Sequence, residues 1–265
     1  MELYSLKNEW VLILGASSGF GLATAQELAG RGMNILGVHF DRRSAMEKIN
    51  QDVAAMRTLG VEVEYFNFNA ADHEERRLAL ETMKERLGQN TLRTVLHSLA
   101  FGSLKPYFEE NEDKELTSAQ MEMTLNVMAH SLVYWVQDLR RQKMIGKGSR
   151  IFALTSAGGH RVWPFYGAVS AAKAALESHI RQIAFELATE GIRANALCAG
   201  VTDTPALRKI PEYEELIRCS ACKNPSRRLT TPQDVARAIA VLSLPEADWM
   251  TGNIINVDGG EDIIG

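Results

Sequence analysis

Short apolar runs alternate with longer helix-forming stretches along the whole chain. Runs rich in strand formers cover 10–14, 34–40, 61–68, 94–98, 150–155, 193–199 and 253–257. Between them lie helical stretches at 21–31, 44–59, 72–87, 118–142, 170–190 and 232–243. Strands that alternate with helices form a parallel sheet covered on both faces, with ligands at the strands' carboxyl ends. The pattern predicts an α/β chain, a single-domain doubly wound Rossmann fold with a seven-stranded parallel sheet. No linker, repeat or low-complexity tract divides residues 1–265. Two stretches break the alternation: 102–115 is polar and charged, and 202–229 is rich in Pro, Arg, Glu and Lys. Both follow strands on the ligand side. The second is read as a mobile segment covering substrate, with a solvated surface loop as the alternative.

Composition narrows the class. A chain of 265 residues is long enough for one sizeable core. With 29 basic and 33 acidic residues, a net charge of −4, it gives no reason to invoke nucleic acid. No apolar run approaches the ~20 residues that span a bilayer, and the first seven residues lack the basic start and apolar core of a secretion leader. A cytoplasmic location is expected. Three cysteines do not build a disulfide framework. Cys219 and Cys222 have C-x-x-C spacing, but no second pair and no histidine ligand spacing accompany them. They are read as small residues on a helix near a cleft, against the alternatives of a redox dithiol or half a metal site.

Candidate chemistry begins at Gly15-Ala16-Ser17-Ser18-Gly19-Phe20-Gly21, between the first strand and a helix start. There, unpaired N–H groups and the helix dipole hold a pyrophosphate, and glycine lets backbone and ligand approach closely. After the second strand come His39-Phe40-Asp41-Arg42-Arg43. An acid in this region binds ribose hydroxyls of NAD, whereas arginines fork the 2′-phosphate of NADP. Both residue types are present. Arg42 and Arg43 favour NADPH, and NADH stays open.

The G-x-x-x-G-x-G spacing resembles the short-chain dehydrogenase/reductase family, and the likeness runs to the C-terminus. The resemblance implies further cofactor contacts at Asn69 and Ala70 for adenine and at Ser98, Leu99 and Ala100 after the fourth strand. It also implies contacts at Gly200, Thr202 and Thr204 around the nicotinamide and pyrophosphate. His97-Ser98 stands where most members have Asn-Asn, and this resembles the enoyl-acyl-carrier-protein reductases of the family. Lys173 is implied to hold the nicotinamide ribose. Ser156, seventeen residues before it, matches the carbonyl-orienting serine, and Asn126 matches the asparagine that supports a proton relay.

In the family's ketone reductases a tyrosine lies four residues before the lysine; here that position is Val169, and Tyr166 lies seven before. On a regular helix the three extra residues add ~4.5 Å of axial rise while keeping both side chains on one face. In ketone reduction the hydride acceptor and the developing oxyanion are bonded atoms. In an α,β-unsaturated thioester, hydride goes to the β-carbon and charge collects on the carbonyl oxygen. An acid set further from the nicotinamide suits that conjugate reduction. The tyrosine-six-lysine spacing is similar to that of enoyl-acyl-carrier-protein reductases. Many of these also carry a second tyrosine ten residues before the first, where this chain has Ser156, as does a branch closer to ordinary short-chain reductases. The resemblance implies an acyl thioester substrate, on acyl carrier protein or coenzyme A, with the cations of 202–229 facing an acidic carrier, and a homotetramer. Two rival readings are a short-chain carbonyl reductase or alcohol dehydrogenase, of 3-oxoacyl or hydroxysteroid type, with Tyr166 repositioned by a distorted helix start after Pro164, and a non-catalytic dinucleotide-binding regulator.

Overall fold

The structure, a computed structural model, describes residues 5–264. Residues 1–4, which open the segment inspected for a leader, and Gly265 lie outside it. The described residues form one parallel sheet in the order β3-β2-β1-β4-β5-β6-β7. The strands are β1 (Trp10–Leu14), β2 (Asn34–His39), β3 (Val63–Asn67), β4 (Leu92–His97), β5 (Arg150–Ser156), β6 (Arg193–Ala199) and β7 (Ile254–Val257). The expected seven-stranded parallel Rossmann sheet is therefore present. β1 is buried along its whole length, as a strand with helices above and below must be. The edge strand β7 instead alternates exposed and half-buried residues.

One face is covered by α1 (Gly19–Gly30), α2 (Met46–Arg57) and α8 (Pro232–Leu242), whose apolar residues join Val11, Ile13 and Ile35 in one core layer. The other face carries α3 (His73–Leu87), α4 (Ser118–Leu125), α5 (Ser131–Arg141) and α6 (Gly167–Glu186) over Leu12, Leu36 and Ile151. Strand order reverses between β1 and β4, so the loops after these strands diverge and leave a crevice at their carboxyl ends.

Three departures from the sequence expectation shape that crevice. The stretch 118–142 is helical throughout, but a π-turn at Asn126–His130 separates α4 from α5. The last strand–helix loop before the lysine is shorter than expected, because α6 starts at Gly167. The irregular stretch 202–229 contains a 3₁₀ turn at Leu207–Lys209 and a helix, α7 (Tyr213–Lys223). Glu215 on α7 accepts from Arg218 and from the Cys219 thiol, the three- and four-residue pairings that support an exposed helix.

Candidate active site

A cleft of about 280 Å³ opens at the carboxyl ends of β4, β5 and β6, beneath α7. Its floor includes Ser98, Ser156 and Ala199, and Leu216, Cys219 and Lys223 of α7 form its roof. Trp163, Val169, Met128 and Leu207 make the inner surface predominantly apolar. An acyl-sized apolar ligand fits such walls.

Lys173 is buried at the base of this cleft, its Nζ donating to the Leu154 carbonyl at 2.6 Å. Burial pulls its pKa down to about 8, opposed by the Glu177 carboxylate one turn further along α6. Glu177 in turn accepts from Thr155 Oγ1 at 2.6 Å. Neither Glu177 nor Thr155 was singled out in the sequence, where the four-residue step from Lys173 to Glu177 was the available signal. His97, at the end of β4, is fully enclosed and paired with Ser131 Oγ at 2.9 Å. Burial and the nearby Lys173 hold its pKa at about 3, so the ring is neutral. It serves as a packing and hydrogen-bonding residue.

Tyr166 is the N-cap of α6, not a residue within the helix, with φ −96° and ψ 3°. Its carbonyl accepts from Ser170 N, so the chain enters the helix through this residue. Phe165 before it has φ +61°, a left-handed conformation that a bulky side chain rarely adopts. The regular helical path assumed from sequence therefore stops one residue short of Tyr166, at Gly167, where Pro164 and Phe165 redirect the chain. The phenol still enters the cleft, with its oxygen 3.5 Å from Ser156 Oγ. Gly158 makes room for the ring: a Cβ there would lie 2.5 Å from Tyr166 Cε1. Burial raises the Tyr166 pKa, and the contact with Ser156 opposes that shift. The phenol thus keeps its proton at neutral and mildly alkaline pH.

The structure brings Tyr166, Ser156 and Lys173 onto one cleft, together with Phe20, Ser98, Leu99, Ala100, Gly200, Thr202 and Thr204. Asn126 opens the π-turn outside the cleft lining, where Met128 faces the cavity from the same turn. Asn69 and Ala70 lie beyond β3, away from the cleft wall. The Asn69 side chain accepts from Ala71 N, and the Ala70 carbonyl accepts from Trp135 Nε1.

The glycine loop fits a dinucleotide pyrophosphate. Gly15 has φ +91°, and a Cβ on it would lie 2.5 Å from the Ser98 carbonyl oxygen. A Cβ on Gly21 would lie 1.9 Å from the Gly15 carbonyl oxygen, so the turn closes only with glycine. Ser17 and Ser18 lead into α1, whose N-cap Ser18 makes no side-chain capping bond and whose first turn holds no acid. Gly19 faces the Thr204 methyl across the mouth of the loop. The first amides of α1 are thereby left for an anion. At the end of β2, buried His39 holds the Asp41 carboxylate at 3.0 Å. Arg42 and Arg43 are exposed, and neither is in an ion pair with another of the described residues.

Comparison with known proteins agrees with this geometry. A profile described as enoyl-(acyl carrier protein) reductase matches residues 15–261. This chain belongs to the enoyl-(acyl carrier protein) reductase family of the short-chain dehydrogenases/reductases. It is an NAD(P)H-dependent oxidoreductase. The chain is 31% identical to an NADH-type enoyl-[acyl-carrier-protein] reductase of Bacillus cereus over 200 residues, covering 74% of this chain and 75% of that protein. It is 29% identical to a tropinone reductase homolog of Arabidopsis thaliana, covering 99% and 93%. A crystal structure of the Bacillus cereus enoyl-acyl carrier protein reductase with NADP+ and indole naphthyridinone covers 100% of both chains at 26% identity, with a TM-score of 0.87. Among the described residues no helix is long and apolar enough to cross a membrane.

Proposed function

We propose that this enzyme reduces the carbon–carbon double bond of an enoyl thioester with NADPH, as an enoyl-acyl-carrier-protein reductase of fatty-acid elongation. One observation carries the reading: Tyr166 reaches the cleft from the N-cap of α6, while the position nearer the lysine is the apolar Val169. When bound, the reduced nicotinamide supplies hydride to the β-carbon. Charge then gathers on the thioester oxygen, where the protonated Tyr166 phenol donates a hydrogen bond and can deliver its proton. Ser156 orients the phenol from 3.5 Å. Lys173 meets the ribose hydroxyls from the base of the cleft, and Asn126 supports proton return through water. The pyrophosphate rests on Gly15, Ser17, Ser18, Gly19, Phe20 and Gly21, with Thr204 opposite.

The choice of NADPH rests on the end of β2. His39 engages Asp41, the acid that would otherwise meet a 2′-hydroxyl, and the exposed Arg42 and Arg43, without an ion-pair partner among the described residues, face solvent for a phosphate. The Bacillus cereus relatives carry NADH in one name and NADP+ in one crystal complex, so relatives alone do not decide it. An acidic carrier protein would find fewer free cations than the sequence suggests. Arg208, Arg218 and Arg228 are already paired with Asp203, Glu215 and Asp234, which leaves Lys209, Lys223 and Arg227. A cytoplasmic homotetramer completes the reading, supported by exposed Tyr134 on α5 and Phe185 on α6.

The test is oxidation of NADPH by crotonyl thioester and, separately, by acetoacetyl thioester. Turnover of crotonyl thioester is expected. Activity on the ketone alone rejects conjugate reduction, and tight cofactor binding without turnover of either points to a regulator.

A further inference from the structure

The turn that follows β7, residues 258–264, touches three walls of the cleft at once. Buried Asp258 accepts from the amides of Gly260 and Asp262 at 2.9 Å each, which folds the turn on itself. Its carbonyl accepts from Asn224 Nδ2 at 2.7 Å, where α7 ends, so the roof is tied to it. Glu261 accepts from Val201 N at 3.1 Å, on the segment expected beside the nicotinamide. Asp262 holds the third wall. Its carboxylate lies 2.9 Å from His160 Nε2 and 2.8 Å from Arg161 Nε, and its carbonyl accepts from Arg161 Nη2 at 2.5 Å.

His160 and Arg161 belong to the loop 157–166 that delivers Tyr166. Within the loop, the internal bonds are the turn bonds from His160 N and Arg161 N to the Ala157 carbonyl and from Tyr166 N to the Trp163 carbonyl. It also contains the left-handed Phe165, a conformation that persists in a bulky residue only where surroundings enforce it. Val162 is 97% exposed, so packing does nothing to hold the loop at that point, although Trp163 beside it lines the cleft. The restraint comes from outside, across about a hundred residues of sequence.

We infer that Asp262 is a positioning residue for the reaction: by clasping His160 and Arg161 it fixes the loop that sets the Tyr166 phenol against substrate. The Asp262 side chain is largely shielded, at 14% exposure, but His160 at 52% and Arg161 at 35% stay open to solvent, and screening there limits what the ion pair adds to global stability. Its effect is on geometry, and a displacement of the acid by about 1 Å is enough to slow a reaction severely. The inference rests on the proposed role of Tyr166, and its test separates the two.

The experiment uses the full-length chain with Asp262→Ala, Asp262→Asn and Asp262→Glu, NADPH and crotonyl-coenzyme A. For Asp262→Ala, kcat is expected to fall about tenfold or more, with the NADPH dissociation constant, read by cofactor fluorescence, within about twofold of wild type. Asp262→Glu, which keeps the charge, restores most of the rate. In a Tyr166→Phe background Asp262→Ala changes the residual rate less than about twofold, because the clasp acts through the missing hydroxyl. Amide hydrogen exchange of residues 157–166, measured without substrate, rises in Asp262→Ala and Asp262→Asn. Unchanged exchange in that loop, or an equal loss of rate with and without the Tyr166 hydroxyl, overturns the inference. If wild type turns over no enoyl thioester, the functional reading fails, while exchange in the loop still decides the clasp.

Discussion

Lys173 offers a titration that reports directly on the site. Its ammonium is enclosed, donates to the Leu154 carbonyl at 2.6 Å, and has its pKa drawn from 10.5 to about 8 by desolvation. If the charged form is what meets the cofactor ribose, affinity is complete below pH 8 and falls about tenfold per pH unit above it. At pH 9.5 the dissociation constant should therefore be about thirtyfold weaker than at pH 7. Cys198, pushed up to about 12, and Tyr166, also raised, stay protonated across this window and do not mimic the effect. Fluorescence titration of NADPH into enzyme between pH 7 and 10 measures it. Folding stability should move in the opposite direction. The folded lysine loses its proton before the unfolded one does, so between pH 8 and 10.5 the unfolded chain binds more protons and stability rises with pH, by at most about 3 kcal/mol. Weakened binding by a protein that is not less stable thus marks Lys173 itself. A dissociation constant that stays flat to pH 10, or a Lys173→Met variant that retains the same pH profile, refutes the reasoning.

Other substitutions probe the remaining parts. Tyr166→Phe should lower kcat by ~10²–10⁴ with NADPH affinity nearly unchanged; single-turnover rates and fluorescence titration separate the two, and a full-rate variant removes the phenol from the chemistry. Gly21→Ala puts a methyl on the Gly15 carbonyl, so melting and cofactor titration should reveal both a loss of roughly 1–3 kcal/mol and a weakened pyrophosphate site. Replacing Arg42 and Arg43 together by Ala should weaken NADPH by ~10–100-fold, as for lost charged hydrogen bonds, and leave NADH unaffected. An equal loss for both cofactors contradicts the 2′-phosphate assignment.

The sheet was legible because its strands are apolar runs too short for helices, and the glycine loop because its geometry admits no side chain at Gly15 or Gly21. Lys173 and Ser156 were legible through their spacing, and the structure sets both on the cleft. The start of α6 was legible only in part, as a distorted start after Pro164 under the rival carbonyl-reductase reading. Pro164 warns of a boundary, but the positive φ at Phe165 and the resulting N-cap role of Tyr166 depend on contacts distant in sequence. The π-turn at Asn126–His130 left no trace either, since Val127, Met128 and Ala129 are as apolar as any helix interior. α7 was legible in part: Cys219 and Cys222 read as small residues on a helix near a cleft, and both lie on α7 with Cys219 on the cleft wall, but its extent was obscured by acids and bases that pair with each other along the surface. Asp262 and His160 are separated by 102 positions, and no local pattern could join them.

Val169 occupies the place from which a ketone-reducing tyrosine would act, and it is 5% exposed on the cleft wall. A Cβ on Gly102 would touch its Cγ2 at 2.9 Å and Met128 Sδ at 2.9 Å, so the space around it is already taken. Converting this scaffold from alkene to carbonyl chemistry is therefore more than transplanting one hydroxyl by three positions. A phenol at 169 would start beside Gly102, where the Val169 methyl already leaves no room for a Cβ. Gly102 and Val169 thus constrain one another, and bulk added at either has to be met by space made at the other.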